Sequence, residues 1–166
     1  MRRSAARGLA IRHASERDLD VVTALRLALL HEHRSNPVYG RLRHDVRARA
    51  RRLYLSQLRS PHEVTLLADR GAETVGILRC IQSSGHPLLL PPTYAYVSSV
   101  YVRPAARRAG VLRALVDAAV DWCRERGITE MRLHNAADNP LSNAAWEALG
   151  FSVVEHLRMR PLPSED

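Results

Sequence analysis

At 166 residues the chain is long enough to bury one core and calls for no second domain. Its basic residues are all arginine, 25 against 17 acidic ones, and the formal charge is +8. No apolar run approaches the roughly 20 residues of a membrane span. The Arg-rich start lacks the apolar stretch of a signal peptide, so a cytoplasmic protein is expected. Two cysteines, Cys80 and Cys123, fall on a predicted strand and on a helix's apolar stripe, as reduced core thiols do. The charge is uneven: residues 1–60 hold 14 Arg against 5 acidic residues, and residues 61–166 hold 11 against 12. A basic third keeps nucleic acid open as an alternative partner, but neither zinc-finger spacing nor an aromatic RNA-binding pattern accompanies it.

Leu9 to Arg12 reads as a first strand, and Ser15 with Asp18 as a helix cap. The helix that follows runs to about His33 on a stripe of Leu19, Val22, Leu25 and Leu29, and Arg26 inside that stripe is expected to snorkel outward. Ser35-Asn36-Pro37 breaks the chain. A second helix, Arg41 to Ser60, turns Leu42, Val46, Ala50, Leu53 and Tyr54 inward and most of its arginines outward. After Pro61, Val64 to Asp69 and Thr74 to Ile81 form a hairpin turning at Arg70-Gly71. The loop Ser83 to Thr93 carries an apolar tip, Leu88 to Leu90, expected to pack on the surface.

Tyr94 to Val102 has β-favouring residues on both faces, as a strand covered on both sides does, and Pro104 ends it. From Gly110 the period becomes helical: Leu112, Leu115, Val116, Ala119, Trp122 and Cys123 share a stripe, and Gly127 closes the helix. Met131 to Asn135 is expected as a fifth strand, Pro140 to Leu149 as a short helix, and Phe151 to Met159 as a last strand, with PLPSED loose beyond it.

The turn before the long helix is where chemistry concentrates. Backbone N–H groups at a helix start form an anion site, and Arg103, Arg107, Arg108 and Arg113 surround this one. The glycine patterns of dinucleotide-binding and Walker loops are absent. What stands there, V-x-P-x-x-R-x-x-G-V-x-x-A-L over Val102, Pro104, Arg107, Gly110, Val111, Ala114 and Leu115, resembles the acyl-CoA pyrophosphate loop of the GNAT superfamily of N-acyltransferases. Asn139, Ser142, Trp146, Leu149, Gly150 and Phe151 match a second block of that family at the expected separation.

The resemblance implies one mixed α/β domain over residues 1–166, a mostly antiparallel sheet flanked by helices with splayed fourth and fifth strands. It implies acetyl-CoA as co-substrate, no metal, and a small-molecule or peptide amine as acceptor; a homodimer stays open, and neither membrane nor nucleic acid is an expected partner. Carried over residue by residue, the cofactor's arm would pair along Val100, Tyr101 and Val102. Its pyrophosphate would meet Arg107, Arg108, Ala109, Gly110, Val111, Leu112 and Arg113, and Asn139, Ser142 and Trp146 would line the arm. Leu112 stands where a second small residue is usual, Trp146 where a tyrosine is usual, and Ser98 and Ser99 where many members carry an acid. The catalytic candidates are therefore Ser98 and His134, the latter five residues before Asn139 where some members place a glutamate base. An imidazole suits proton transfer near neutral pH. A non-catalytic acyl-CoA-binding module is the alternative in which these departures remove turnover.

Overall fold

A computed structural model describes residues 8–162; the Arg-rich first seven residues and the end of PLPSED lie outside the described residues. Five strands pair in the order of the chain: β1 (Leu9–His13), β2 (Glu63–Arg70), β3 (Glu73–Ser84), β4 (Thr93–Val102) and β5 (Met131–Leu133). The first four are antiparallel, and β4 and β5 run parallel because a helix, α3 (Val111–Glu125), carries the chain back between them. The mixed, mostly antiparallel sheet is the one expected. The described residues fall into two compact units, the first ending at His134 and the second starting at Asn135.

Strand alternation sends the first unit's side chains to two layers. On one face lie α1 (Leu19–Glu32) and α2 (Val46–Leu58), where Val22, Leu25, Leu27, Ala50 and Tyr54 close over Leu67 of β2, Ile77 of β3 and Tyr101 of β4. α3 covers the other face, with Val111, Leu115, Val116, Ala119, Trp122 and Cys123 buried. Gly76 sets how closely α3 docks: a Cβ there would stand 2.9 Å from Val111 Cγ1 and 3.2 Å from Leu115 Cδ1. Behind this contact the Cys80 and Cys123 sulfurs lie 4.0 Å apart as free, buried thiols. Their shared S–H···S contact, with burial, pushes the Cys80 thiol up.

Several expectations change. Arg26 does not snorkel: it is 8 % exposed, its guanidinium sits 3.7 Å over the Tyr54 ring, and Nη1 donates to Gln57 Oε1 at 2.5 Å. Burial pushes its pKa down to about 10. A cation–π face and an amide acceptor hold the charge that water would otherwise solvate. α2 starts only at Val46, and Leu53 is turned outward with 51 % exposure. The tip Leu88–Leu90 does not pack, each leucine being at least 65 % exposed. The last strand does not form: residues 151–159 have no strand partner, and Val154 and Leu157 are exposed. Alternating apolar residues favour a strand only where a neighbouring backbone accepts its ladder. No helix among the described residues is long and apolar enough to cross a membrane.

Candidate active site

The site grows from one irregularity in β4. Ile77 pairs with Tyr101 and Arg79 with Ser98, so two steps along β3 face three along β4, and the extra residue is a bulge. Ser99 takes the strain with φ +53°, and the Ser98 and Ser99 hydroxyls lie 3.2 Å apart. On the other side β5 pairs with β4 only from Ala95 to Val97. From Ser98 to Val102 that edge of β4 has no strand partner among the described residues, and at its end Val102 O accepts from the Arg107 side chain instead. Val100 and Val102 are half-buried along it, and Tyr101 points into the core beneath α1.

At the end of that open edge the chain turns into α3. Pro104–Ala106 forms a single 3₁₀ turn, then Arg108 (φ +60°) and Gly110 (φ +78°) adopt left-handed conformations on either side of Ala109. Left- and right-handed residues in alternation aim successive N–H groups into one concavity, and the free donors of the first helical turn, from Val111 and Leu112, join them. Gly110 suits this turn because its φ of +78° would strain an L side chain, although a Cβ there would meet nothing within 4 Å. A pyrophosphate fits this donor set: oriented N–H groups, the positive end of a 15-residue helix, and exposed arginines.

The four arginines named from the sequence do not share one task. Arg103 Nε donates to Thr74 O at 3.0 Å and faces Glu73 at 3.3 Å. Arg107 Nε donates to Val102 O at 2.9 Å and its Nη2 to Glu32 Oε1 at 2.5 Å, so it ties the turn to the end of α1. Arg108 is exposed and has no side-chain partner among the described residues. Arg113 is exposed on the first turn of α3. Glu32 and Gly76 carry no motif, so their parts in holding the turn are visible only in three dimensions.

His134 follows β5 at the place where the two strands part. Its Nδ1 lies 2.8 Å from Tyr96 Oη, and the rings are tilted 54° with centroids 5.6 Å apart. Burial, then the nearby Tyr39 and Tyr94, push the Tyr96 phenol up. Ser98 lies two residues along β4 from Tyr96 and opposite Arg79, on the same face by alternation.

In the second unit, α4 (Pro140–Glu147) is capped by Asn139, whose Oδ1 accepts from Ser142 N–H at 3.0 Å. Asn143 donates to Ala137 O at 3.1 Å and accepts from Asn135, which draws the preceding loop together. Trp146 is 8 % exposed and meets Phe151 edge-on at 5.3 Å between centroids. Asn139 therefore has a local structural task, and Trp146 an aromatic partner, besides the roles expected of them.

A bulged strand parting from its parallel neighbour beside a helix start entered through a left-handed glycine defines the architecture of the N-acyltransferases. The sequence model of the Acetyltransferase (GNAT) family matches residues 26–151, and the chain belongs to that family. An aminoglycoside N(6')-acetyltransferase type 1 of Klebsiella aerogenes is 44 % identical over 64 residues, which are 39 % of this chain and 42 % of that protein. The match thus spans less than half the length of this curated relative. Among solved structures, a predicted acetyltransferase with acetyl-CoA from Clostridium acetobutylicum superposes with TM-score 0.76 at 18 % identity, covering 92 % of this chain and 96 % of that one. The aminoglycoside antibiotic 6'-N-acetyltransferase of Acinetobacter baumannii superposes with TM-score 0.72 at 25 % identity over 95 % of this chain and all of that one, 100 %.

Proposed function

We propose that residues 1–166 act as one N-acetyltransferase domain that moves the acetyl group of acetyl-CoA to a primary amine of a small molecule, in the reducing cytoplasm where free thiols such as Cys80 and Cys123 persist. The observation that carries this reading is the N–H-lined concavity at residues 107–113 beside the open edge of β4. In the reaction the neutral amine forms an N–C bond to the thioester carbonyl, the C–S bond breaks, and the proton the nitrogen loses passes through water to the departing thiolate. The chain's residues orient and polarise. Turn N–H groups and Arg108 hold the pyrophosphate, the backbone of Val100 and Val102 holds the arm, and N–H groups freed at the Ser99 bulge stabilise the developing oxyanion. An indole N–H is a donor without useful acidity, so Trp146 does not protonate the leaving thiolate, and water does so.

The acceptor divides into two classes. The relatives are named for aminoglycosides, which are polycations. Yet α2 here carries Arg47, Arg49, Arg51 and Arg52 and no acidic residue, and Arg43, Arg49 and Arg52 line a cavity of about 440 Å³ with Leu30, Ala50 and Tyr54; Arg43 and Arg49 pair with Asp45 and Arg51 with Asp20, so Arg47 and Arg52 carry the excess. That charge supports an amine bearing a carboxylate or phosphate over a polyamine.

Saturating acetyl-CoA should raise the melting temperature through linkage, by about 2.7 kcal/mol of stability at a hundredfold excess over Kd. Gly110→Glu places bulk and negative charge in the concavity and should abolish the rise. A folded Gly110→Glu protein that still responds would remove the turn as the binding site. Thiol release measured with aminoglycosides, amino acids and polyamines then identifies the acceptor, and acetyl-CoA binding without turnover on any amine would point to the binding-module alternative.

A further inference from the structure

The histidine singled out from the sequence is not alone, and its partner changes what it can do. Tyr96 and His134 meet where β4 and β5 stop pairing, Tyr96 being opposite Arg132 in the last stretch of parallel ladder. Tyr96 lies on the α1/α2 face of the sheet, since it pairs with Ile81, which shares a face with Ile77 of the core beneath those helices. A neutral imidazole has one N–H and one lone pair. In the tautomer with the N–H on Nε2, Nδ1 accepts from the phenol at 2.8 Å and the outward nitrogen is a donor. In that tautomer His134 cannot take a proton directly from an amine through Nε2. The lone pair that remains available is on Tyr96 Oη.

We propose that Tyr96 and His134 form a two-residue proton relay that deprotonates the incoming ammonium. The ammonium N–H bond breaks and its proton passes to Tyr96 Oη; the phenol's own O–H proton passes to His134 Nδ1. The products are a neutral amine, a neutral phenol and an imidazolium. No proton is left over and no tyrosinate is needed. This matters because burial raises the cost of a free tyrosinate, and Tyr39 from the α1–α2 connection and Tyr94 on β4 raise it further. A tyrosine acting alone would be a poor base here, and the histidine behind it supplies the acceptor. The charged groups around the pair are occupied: Arg132 of β5 stacks 4.0 Å over Tyr94 and donates to Glu130 at 2.5 Å. His134 has no carboxylate partner among the described residues, so the proton is not trapped on a neighbouring ion pair.

The relay rests on the N-acetyltransferase reading, and one experiment separates the two. The kcat/KM–pH profile is measured by thiol release for wild type, Tyr96→Phe, His134→Gln and the double variant, with the fastest amine of the panel and with Tyr94→Phe as a control. Each single variant should lower the rate about 10²-fold, as loss of general-base catalysis does. The double should be no worse than the poorer single, because the two residues act as a unit. Both singles should lose the acidic limb, while the acetyl-CoA-induced rise in melting temperature stays that of wild type. Nitrogen NMR of the histidine-labelled wild type should show the proton on Nε2 in the neutral ring. A wild-type rate in either single variant, multiplicative losses in the double, or a proton on Nδ1 would overturn the relay. If wild type turns over no amine, the transferase reading falls and takes the relay with it.

Discussion

The two faces of the sheet are built on different rules. The α3 face is dry: Leu66, Leu78, Leu115 and Ala119 are at most 1 % exposed, and contact depends on the absence of a side chain at Gly76. The α1/α2 face buries charge in the same thickness of protein. Arg26 stacks on Tyr54, and Arg79 pairs with Glu63 at side-chain exposures of 13 % and 9 %. A dry face fixes position by shape and tolerates no added volume; a charged one is held by pairing and fails when a partner is lost. The turn that would bind the cofactor begins at the end of the dry face. The residues that would meet an acceptor lie on the charged one.

Three substitutions test that contrast. Glu63→Gln leaves the Arg79 guanidinium buried without its carboxylate while Arg26 sits nearby, and should cost about 3–5 kcal/mol. The midpoint of chemical denaturation reads it, and a loss no larger than that of an exposed pair would mean that this face is wetter than its exposure indicates. Gly76→Ala should cost about 1–3 kcal/mol by overpacking. Elsewhere in a strand the same change would be neutral or slightly stabilising. Because the first clash is with Val111, the opening residue of α3, affinity for acetyl-CoA in a titration should fall with stability. If stability falls and affinity does not, the helix start is anchored by Arg107 and Glu32 rather than by its docking on β3.

The third lies at the edge of the sheet, where neither rule applies. Arg12 bridges Asp18 at 2.9 Å and Asp69 at 2.6 Å, and its hydrogen bond, outweighing the opposing effect of burial and helped by the Ser15 contacts, holds the Asp18 carboxyl below its ordinary value. A depressed carboxyl contributes stability that is present above its ordinary titration range and lost as pH falls through the lowered value. Asp18→Asn should therefore lose at most about 1 kcal/mol near neutrality, given the exposure of Arg12, and the difference from wild type should shrink in acid. Melting curves across acidic pH check the direction.

The elements whose burial is set by their own period were legible in the sequence. The α3 stripe from Leu115 to Cys123 is buried as its spacing predicts, and Ser15 and Asp18 form the expected reciprocal cap. What was not legible depends on partners far along the chain. Phe151 to Met159 alternates like a strand and finds no ladder; Arg26 sits in an apolar stripe because Tyr54 and Gln57, on the next helix, receive it. In the candidate site the turn was readable because glycine and arginine at a helix start have local consequences. The meeting of Tyr96 with His134, 38 residues away, has no local signal, and only His134 stood out from the sequence.

The pair of thiols behind Gly76 has a practical side. Cys80 and Cys123 are the only two cysteines in the chain and are 0 % and 3 % exposed, beneath the helix that must stay docked for the turn to exist. A chromogenic disulfide reagent added to follow released CoA meets no accessible sulfur on the native protein, so the blank is silent. Once α3 lifts, two equivalents of thiol per molecule become reactive. The same cuvette thus also counts the molecules in which α3 has come away from the sheet.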